Sequence, residues 1–363
     1  MRIALVSTCA LATPPDAYGG TELVVAELAK GLDHLGHDVT VFATGDSHPA
    51  GKLRHHFDKP VWPPSDLAEM RHASFAWQQI ARAHPAFDVA HVNHPAALPF
   101  HILVDVPTLI TIHHDRLESL IPQYNDYPEA ALVAISERQR QLSPEITFSH
   151  TIYHGLDVRA YPTGRGEGGY VAFLGRFAPE KAPHLAIDAA RAAGVPIQLG
   201  GAPQEISAQY FESELRQRLE LEGVKWCGEL CHEPKVELLR NARALLVPLD
   251  WEEPFGLVMI EAMLVGTPVI AFARGSAPEV VDEGVTGFLV RDVGEMVQRI
   301  AQIGSIDRQR CRAHAEQRWS TLRMAREYAE AYAAIRFGKQ RRPATELRAL
   351  SGGRVRSYRM GTE

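Results

Sequence analysis

Short apolar runs of four to six residues, rich in Val, Ile and Leu, alternate along this chain with longer stretches of helical periodicity. In the first half the runs RIALVS (2–7), DVTVFA (38–43), DVAHV (88–92), TLITIH (108–113) and ALVAIS (131–136) read as strands, with a shorter sixth at TIYHG (151–155). The second half repeats the pattern at YVAFLG (170–175), PIQLGG (196–201), VKWCGE (224–229), ALLVPL (244–249), PVIAFA (268–273) and GFLV (287–290). Continuous apolar strands without strict alternation suit a sheet covered on both faces. Between them, Val24, Val25, Leu28, Leu32 and Leu35 form one helical stripe that Gly36 stops. Residues 66–84, 207–222, 294–303 and 318–335 read as helices in the same way.

The βαβα order predicts an α/β protein with two doubly wound, mostly parallel sheets. The first domain is expected over 1–160 and the second over 170–336, with a linker at 161–169 whose PTGRGEGG stretch is rich in Gly and Pro. The last helix has the option of packing back on the first domain. The polar, basic tail 337–363 lacks core-forming residues and is expected to be poorly ordered.

Composition narrows the function classes. A net charge of −6 gives no electrostatic ground for a nucleic-acid partner. Four cysteines in 363 residues make no disulfide framework, which points to a reducing compartment, the cytoplasm. Cys227, Cys231 and His232 lack a second ligand pair at zinc-site spacing, so the two thiols are expected to be buried and structural. The start, MRIALVSTCALATPP, has the outline of a signal peptide but reads as a first strand running into a loop. No apolar run reaches the roughly 18 residues needed to span a bilayer. Trp62, Phe75 and Trp77 with scattered cations leave peripheral contact at the inner face of a membrane open, against the plainer reading of a core-packed helix.

Candidate chemistry gathers where strands end and helices begin, as it does in open α/β sheets. In ALLVPL-DWEE-PFGLVMIEAM, Pro254 biases Glu253 towards an extended backbone, and Gly256 lets a ligand approach the chain. The first turn of the following helix offers free N–H groups to an anion around Phe255, Gly256 and Leu257. Glu261 lies within that helix among apolar neighbours, where a carboxylate needs a partner. Arg176 ends one strand and Lys181 precedes the next helix, a pairing suited to a diphosphate. Gly19 and Gly20 open a helix after the first strand, and His113 ends an apolar strand. No G-x-G-x-x-G fingerprint is present, and His91, His94 and His114 read as packing, turn or loop residues.

These stretches together resemble a retaining glycosyltransferase of family four, a GT-B fold of two Rossmann-like domains facing a central cleft. The matching segments are YGGTELVVAELAKGLDHLGHDVTVFATGD, PTLITIH, FLGRFAPEKAPHLAI and LLVPLDWEEPFGLVMIEAMLVGTPVIAFARGSAPEVVDEGVTGFLV. The E-x7-E pair Glu253 and Glu261 is the most specific of them. The resemblance implies that Glu253 binds hydroxyls of a donor sugar and Glu261 the ribose of its nucleotide. It implies that Arg176 and Lys181 neutralise the diphosphate, that Gly19-Gly20 and residues 255–257 complete the phosphate cradle, and that His113 contacts the sugar near the reacting carbon. It implies no resident cofactor and no metal, a nucleotide sugar (a UDP-hexose is favoured) and an acceptor as partners, and retention without a side-chain nucleophile. Two positions depart from the family pattern: Ala182-Pro183 where glycine often follows the lysine, and His154-Gly155-Leu156-Asp157 where Asn-Gly-Val-Asp is common. A sugar-nucleotide epimerase, a phosphorylase and a non-catalytic donor-binding partner of another transferase remain alternative readings.

Overall fold

Two wholly parallel sheets organise residues 1–341, the part of the chain described by the computed structural model. The first contains β1 (Arg2–Val6), β2 (Asp38–Ala43), β3 (Lys52–His55), β4 (Val89–Val92), β5 (Thr108–Thr111), β6 (Ala131–Ala134) and β7 (Phe148–Thr151), in the order 3-2-1-4-5-6-7. The second contains β8 (Val171–Leu174), β9 (Ile197–Gly200), β10 (Val224–Trp226), β11 (Leu245–Val247), β12 (Val269–Phe272) and β13 (Gly287–Val290), in the order 10-9-8-11-12-13. Strand order reverses between β1 and β4 in one lobe and between β8 and β11 in the other. Loops leaving these neighbours diverge to opposite faces, so a crevice opens beyond their carboxyl ends.

The central strands are buried throughout, as their unbroken apolar runs require. Edge strand β3 escaped the sequence reading because KLRH is polar and largely exposed, which also blunts that edge against pairing with another chain. The sixth strand of the first half lies earlier than TIYHG, at Phe148–Thr151, because the chain must leave the sheet at Ile152 to reach the second lobe. The 207–222 helix is interrupted by a π-helical turn at Phe211–Leu215. A polar helix at Arg308–Arg318 lacked an apolar stripe strong enough to be read. The thiols also differ from expectation: Cys231 is exposed and Cys227 only partly covered. Trp77 is buried with its indole N–H donated to Ala97 O, whereas Trp62 is exposed. No helix among the described residues is long and apolar enough to cross a membrane.

The chain passes between lobes twice, at neighbouring places. Ile152 belongs to the first core and Leu156 to the second, so the outward passage precedes the glycine-rich 162–169 stretch. That stretch is pinned to the second lobe, where Gly164, Gly166 and Gly168 donate to the carbonyls of Val265, Arg240 and Asn241. The return passage follows Trp319. Leu156 N–H donates to Trp319 O at 2.8 Å and Thr321 N–H to Leu156 O at 3.0 Å, so the two passages are bonded to each other. Gly155 belongs there for steric reasons, since a Cβ would meet Ser320 O at 2.4 Å.

After the return, the Thr321–Arg341 helix packs on the first lobe, burying Met324, Ala325, Tyr328, Ala331 and Tyr332 against β1 and the Gly20–His34 helix. Its tyrosines reach under the sheet: Tyr332 OH lies 2.7 Å from His91 Nδ1 and Tyr328 OH 2.8 Å from Thr111 Oγ1. Of the tail 337–363, residues past 341 lie outside the described residues. Close approach of the two helices depends on Gly31, where a Cβ would meet Ala325 Cβ at 2.6 Å. Gly31→Val is therefore expected to destabilise the protein by about 1–3 kcal/mol through overpacking, read as a lower midpoint in urea unfolding.

Candidate active site

Each switch point delivers two loops to the cleft. From β1 comes the loop that ends at Gly19, the N-cap of the Gly20–His34 helix, with φ 148°. A side chain at 19 would strike Pro15 at 2.8 Å, whereas Gly20 faces Leu257 of the other lobe with room to spare. From β11 comes the Asp250–Gly256 loop, and Gly256 at φ 80° caps the Leu257–Leu264 helix. Two helix N-termini from different lobes thus face each other across the cleft. Their first-turn N–H groups lack intrahelical partners and their dipoles favour an anion between them.

Arg176 follows β8. It is braced by Glu180 at 3.0 Å and Gln204 at 3.2 Å, and lies over the Tyr18 ring of the first lobe at 5.9 Å. Lys181 lies above the Trp251 ring at 4.5 Å and donates directly to Glu253, which also accepts from Trp251 Nε1 at 3.0 Å. Ala182 adopts the left-handed conformation at φ 49°, so the backbone here keeps a glycine-type turn despite its side chain. That costs on the order of 1 kcal/mol.

The two glutamates differ in setting. Glu253 is 9% exposed at the cleft floor and Glu261 only 3%. One oxygen of Glu261, Oε1, accepts both Tyr161 OH at 3.0 Å and Lys235 Nζ at 2.5 Å. Its other oxygen, Oε2, makes no hydrogen bond among the described residues. Neither Tyr161 nor Lys235 was legible as a site residue, because each lies on a separate element and only the fold brings them together.

His113 lies two residues beyond the end of β5 rather than at its last position. Its ring stacks on His154 at 5.4 Å, and His154 meets the Phe255 ring edge-on at 4.8 Å. Nε2 of His113 is 2.9 Å from Asn93 Oδ1. Burial between the lobes, aided by His114, pushes the imidazole down to about 3, so it is neutral. Beside it, Arg138 forms a two-pronged pair with Glu252 at 2.8 and 3.0 Å, and Glu279 accepts the N–H groups of Glu137 and Arg138 at 2.9 and 2.7 Å. These contacts hold the lobes together over a crevice lined by Arg116, Arg138, Gln139, Glu252 and Glu253.

The loop after β1 is anchored from beneath. Glu69, 4% exposed, accepts Cys9 N–H at 3.0 Å while its Oε2 finds no partner among the described residues. Glu22 accepts Thr8 OH, and burial raises its carboxyl as well.

Twin parallel-sheet lobes joined at their switch points, with two cations and two glutamates lining the seam, define a GT-B scaffold. Comparison with known proteins agrees. Residues 18–160 match glycosyltransferase family 4 and residues 162–318 match glycosyl transferases group 1. Phosphatidyl-myo-inositol mannosyltransferase of Mycolicibacterium smegmatis is 27% identical over 80% of this chain and 81% of that protein. D-inositol 3-phosphate glycosyltransferase of the same organism is 35% identical, but over only 37% of this chain and 32% of that protein. Among solved structures, Anabaena HepE in complex with UDP and glucose superposes with a TM-score of 0.71 at 22% identity, covering 92% of this chain and 99% of that one. Sucrose-phosphate synthase from Thermosynechococcus elongatus reaches 0.76 at 19% identity, covering 92% and 99%. The chain belongs to the group 1, family 4-like glycosyltransferases of the GT-B fold.

Two outcomes follow from the buried acids. Lys235→Met strands Glu261 without its cation and is expected to cost about 3 kcal/mol in chemical denaturation, most of it recovered by adding Glu261→Gln. Glu69 is raised by burial from its ordinary 4.5 to about 7. The folded state then holds a proton that the unfolded state has lost, so the stability this group contributes below pH 4.5 disappears as pH rises through 7. Wild type should lose on the order of 3 kcal/mol between pH 5 and 9 from this group. Glu69→Gln, which keeps an acceptor for Cys9 N–H, should lack that loss.

Proposed function

We propose that this chain is a retaining hexosyltransferase that moves a sugar from a nucleoside-diphosphate donor, a UDP-sugar being favoured, to an acceptor hydroxyl on a glycan, lipid or small molecule. The observation that carries the reading is the opposition of two helix N-termini across the cleft, with Arg176 and Lys181 beside them and Glu253 and Glu261 at either end. A diphosphate fits between the helix starts, where N–H groups and cations meet charge that grows as the sugar–phosphate bond breaks. Glu261 receives the ribose hydroxyls on its unoccupied oxygen. Glu253 receives hydroxyls of the sugar, and its contact with Lys181 links the sugar end of the site to the phosphate end.

The reaction needs no side-chain nucleophile. The acceptor oxygen attacks the anomeric carbon from the face the phosphate leaves, the carbon–oxygen bond to the diphosphate breaks, and the acceptor proton passes to a phosphate oxygen. Oxocarbenium character on the sugar is matched by the nearby carboxylate of Glu253. Neutral His113 contributes hydrogen bonding without adding a positive charge beside that centre. The relatives named above support a nucleotide-sugar donor, since HepE is described in complex with UDP and glucose. Charge neutralisation is assigned to Arg176, Lys181 and the helix starts, with no resident metal.

A thermal-shift and calorimetric screen of UDP, GDP and ADP tests the reading, with selective stabilisation by one nucleotide expected. Glu261→Ala should weaken that nucleotide about tenfold or more, whereas Glu253→Ala should leave it bound and lower turnover by at least a hundredfold. Activity should survive EDTA, and NMR of the product should give the donor's own anomeric configuration. Inversion, or a product formed without any acceptor, would overturn the assignment.

A further inference from the structure

Asn93 follows β4 directly, at the switch point of the first sheet, and is 5% exposed. Its amide has only one workable orientation. Nδ2 lies 3.1 Å from Val6 O, and a carbonyl only accepts, so the amide nitrogen must face it and Oδ1 must face away. Oδ1 then meets His113 Nε2 at 2.9 Å, and because Oδ1 has no proton to give, the imidazole nitrogen must be the donor. In a neutral ring the other nitrogen, Nδ1, is consequently bare of hydrogen.

That second nitrogen is not used by the fold. His113 Nδ1 has no protein partner among the described residues, and it is not sealed away as His154 Nδ1 is. The ring cannot tumble to reverse the assignment, since it is stacked at 5.4 Å and 20° on His154, itself held against Phe255 of the other lobe. Protonating Nδ1 is opposed by the same burial.

We propose that Asn93 is a positioning residue that locks His113 as the Nε2–H tautomer and leaves Nδ1 as a hydrogen-bond acceptor in the cleft, so the sugar must present a donating hydroxyl there. This rests on the glycosyl-transfer reading for the identity of the ligand, but the tautomer itself does not. The arrangement makes the subsite selective: an ether, a fluorine or another acceptor at that position would meet a lone pair instead of a proton.

Two measurements test it. In the full chain labelled with ¹⁵N-histidine, the His113 nitrogens are assigned by their disappearance in His113→Phe. Long-range proton–nitrogen NMR should then show Nε2 protonated and Nδ1 unprotonated, and a tautomer mixture in Asn93→Leu. Val6 O keeps the Asn93 backbone N–H at 3.0 Å in that variant, and Asn93→Ala repeats the test if the leucine is not accommodated. A protonated Nδ1 in wild type, or an unchanged spectrum in the Asn93 variant, would overturn the lock whatever the enzyme does with sugars.

The second measurement compares binding of the accepted nucleotide sugar with its monodeoxyfluoro analogues. One fluorinated position should bind about three- to tenfold more weakly in wild type, and that difference should vanish in His113→Phe and shrink in Asn93→Leu. Equal binding across the series would remove the hydroxyl-accepting role. Failure to bind any nucleotide sugar would instead sink the proposed function while leaving the NMR result standing.

Discussion

A parallel sheet covered on both faces offers a ligand only one kind of opening, the place where its strand order turns around. Both lobes of this protein have that opening once, and the lobes are joined so that the two openings confront each other. The residues at the centre of the site arrive there by leaving the four strand ends that flank these reversals. Gly19 and Asn93 come from the first sheet's reversal, and Arg176 and Glu253 from the second's. Chemistry follows from this topology before any individual side chain is considered.

The electrostatics of the seam are balanced internally. Lys181 is matched by Glu253, Lys235 by Glu261, Arg138 by Glu252 and Arg176 by Glu180. Charges so close to buried surface need partners, and a charged ligand gains its hold by sharing them rather than by meeting a bare field. The two glutamates are held alike in this respect. Each is tied at a single oxygen by a lysine and a second donor, Glu261 by Lys235 and Tyr161 and Glu253 by Lys181 and Trp251.

Much of the fold was readable because β-strands buried on both faces must be uninterrupted apolar runs, and the central strands of both sheets were visible in order. What escaped was polar: the exposed edge strand KLRH and the Arg308–Arg318 helix, where burial does not impose a periodicity. Strand ends were overextended for a related reason. Ile112 and Ile135 are apolar and buried yet lie past their strands, packing the base of the loops. At the site, glycines and motif glutamates were legible as local patterns. Asn93, Tyr161, Lys235 and Glu69 were not, because each matters through a partner from 20 to 100 residues away. Asn93 had one usable sign, its position immediately after a buried strand.

The paired backbone passages between the lobes have a mechanical consequence. Because Leu156 exchanges hydrogen bonds with Trp319 and Thr321, the lobes are strapped by a two-ply ribbon along one side. Such a ribbon bends about its width but resists sliding, since a shift of one ply would break both bonds at once. Relative motion of the lobes therefore resembles a book opening on its spine, and Glu279 stiffens that spine, since it accepts Tyr153 OH at 2.8 Å beside one passage and its carbonyl accepts Arg318 at 2.9 Å beside the other.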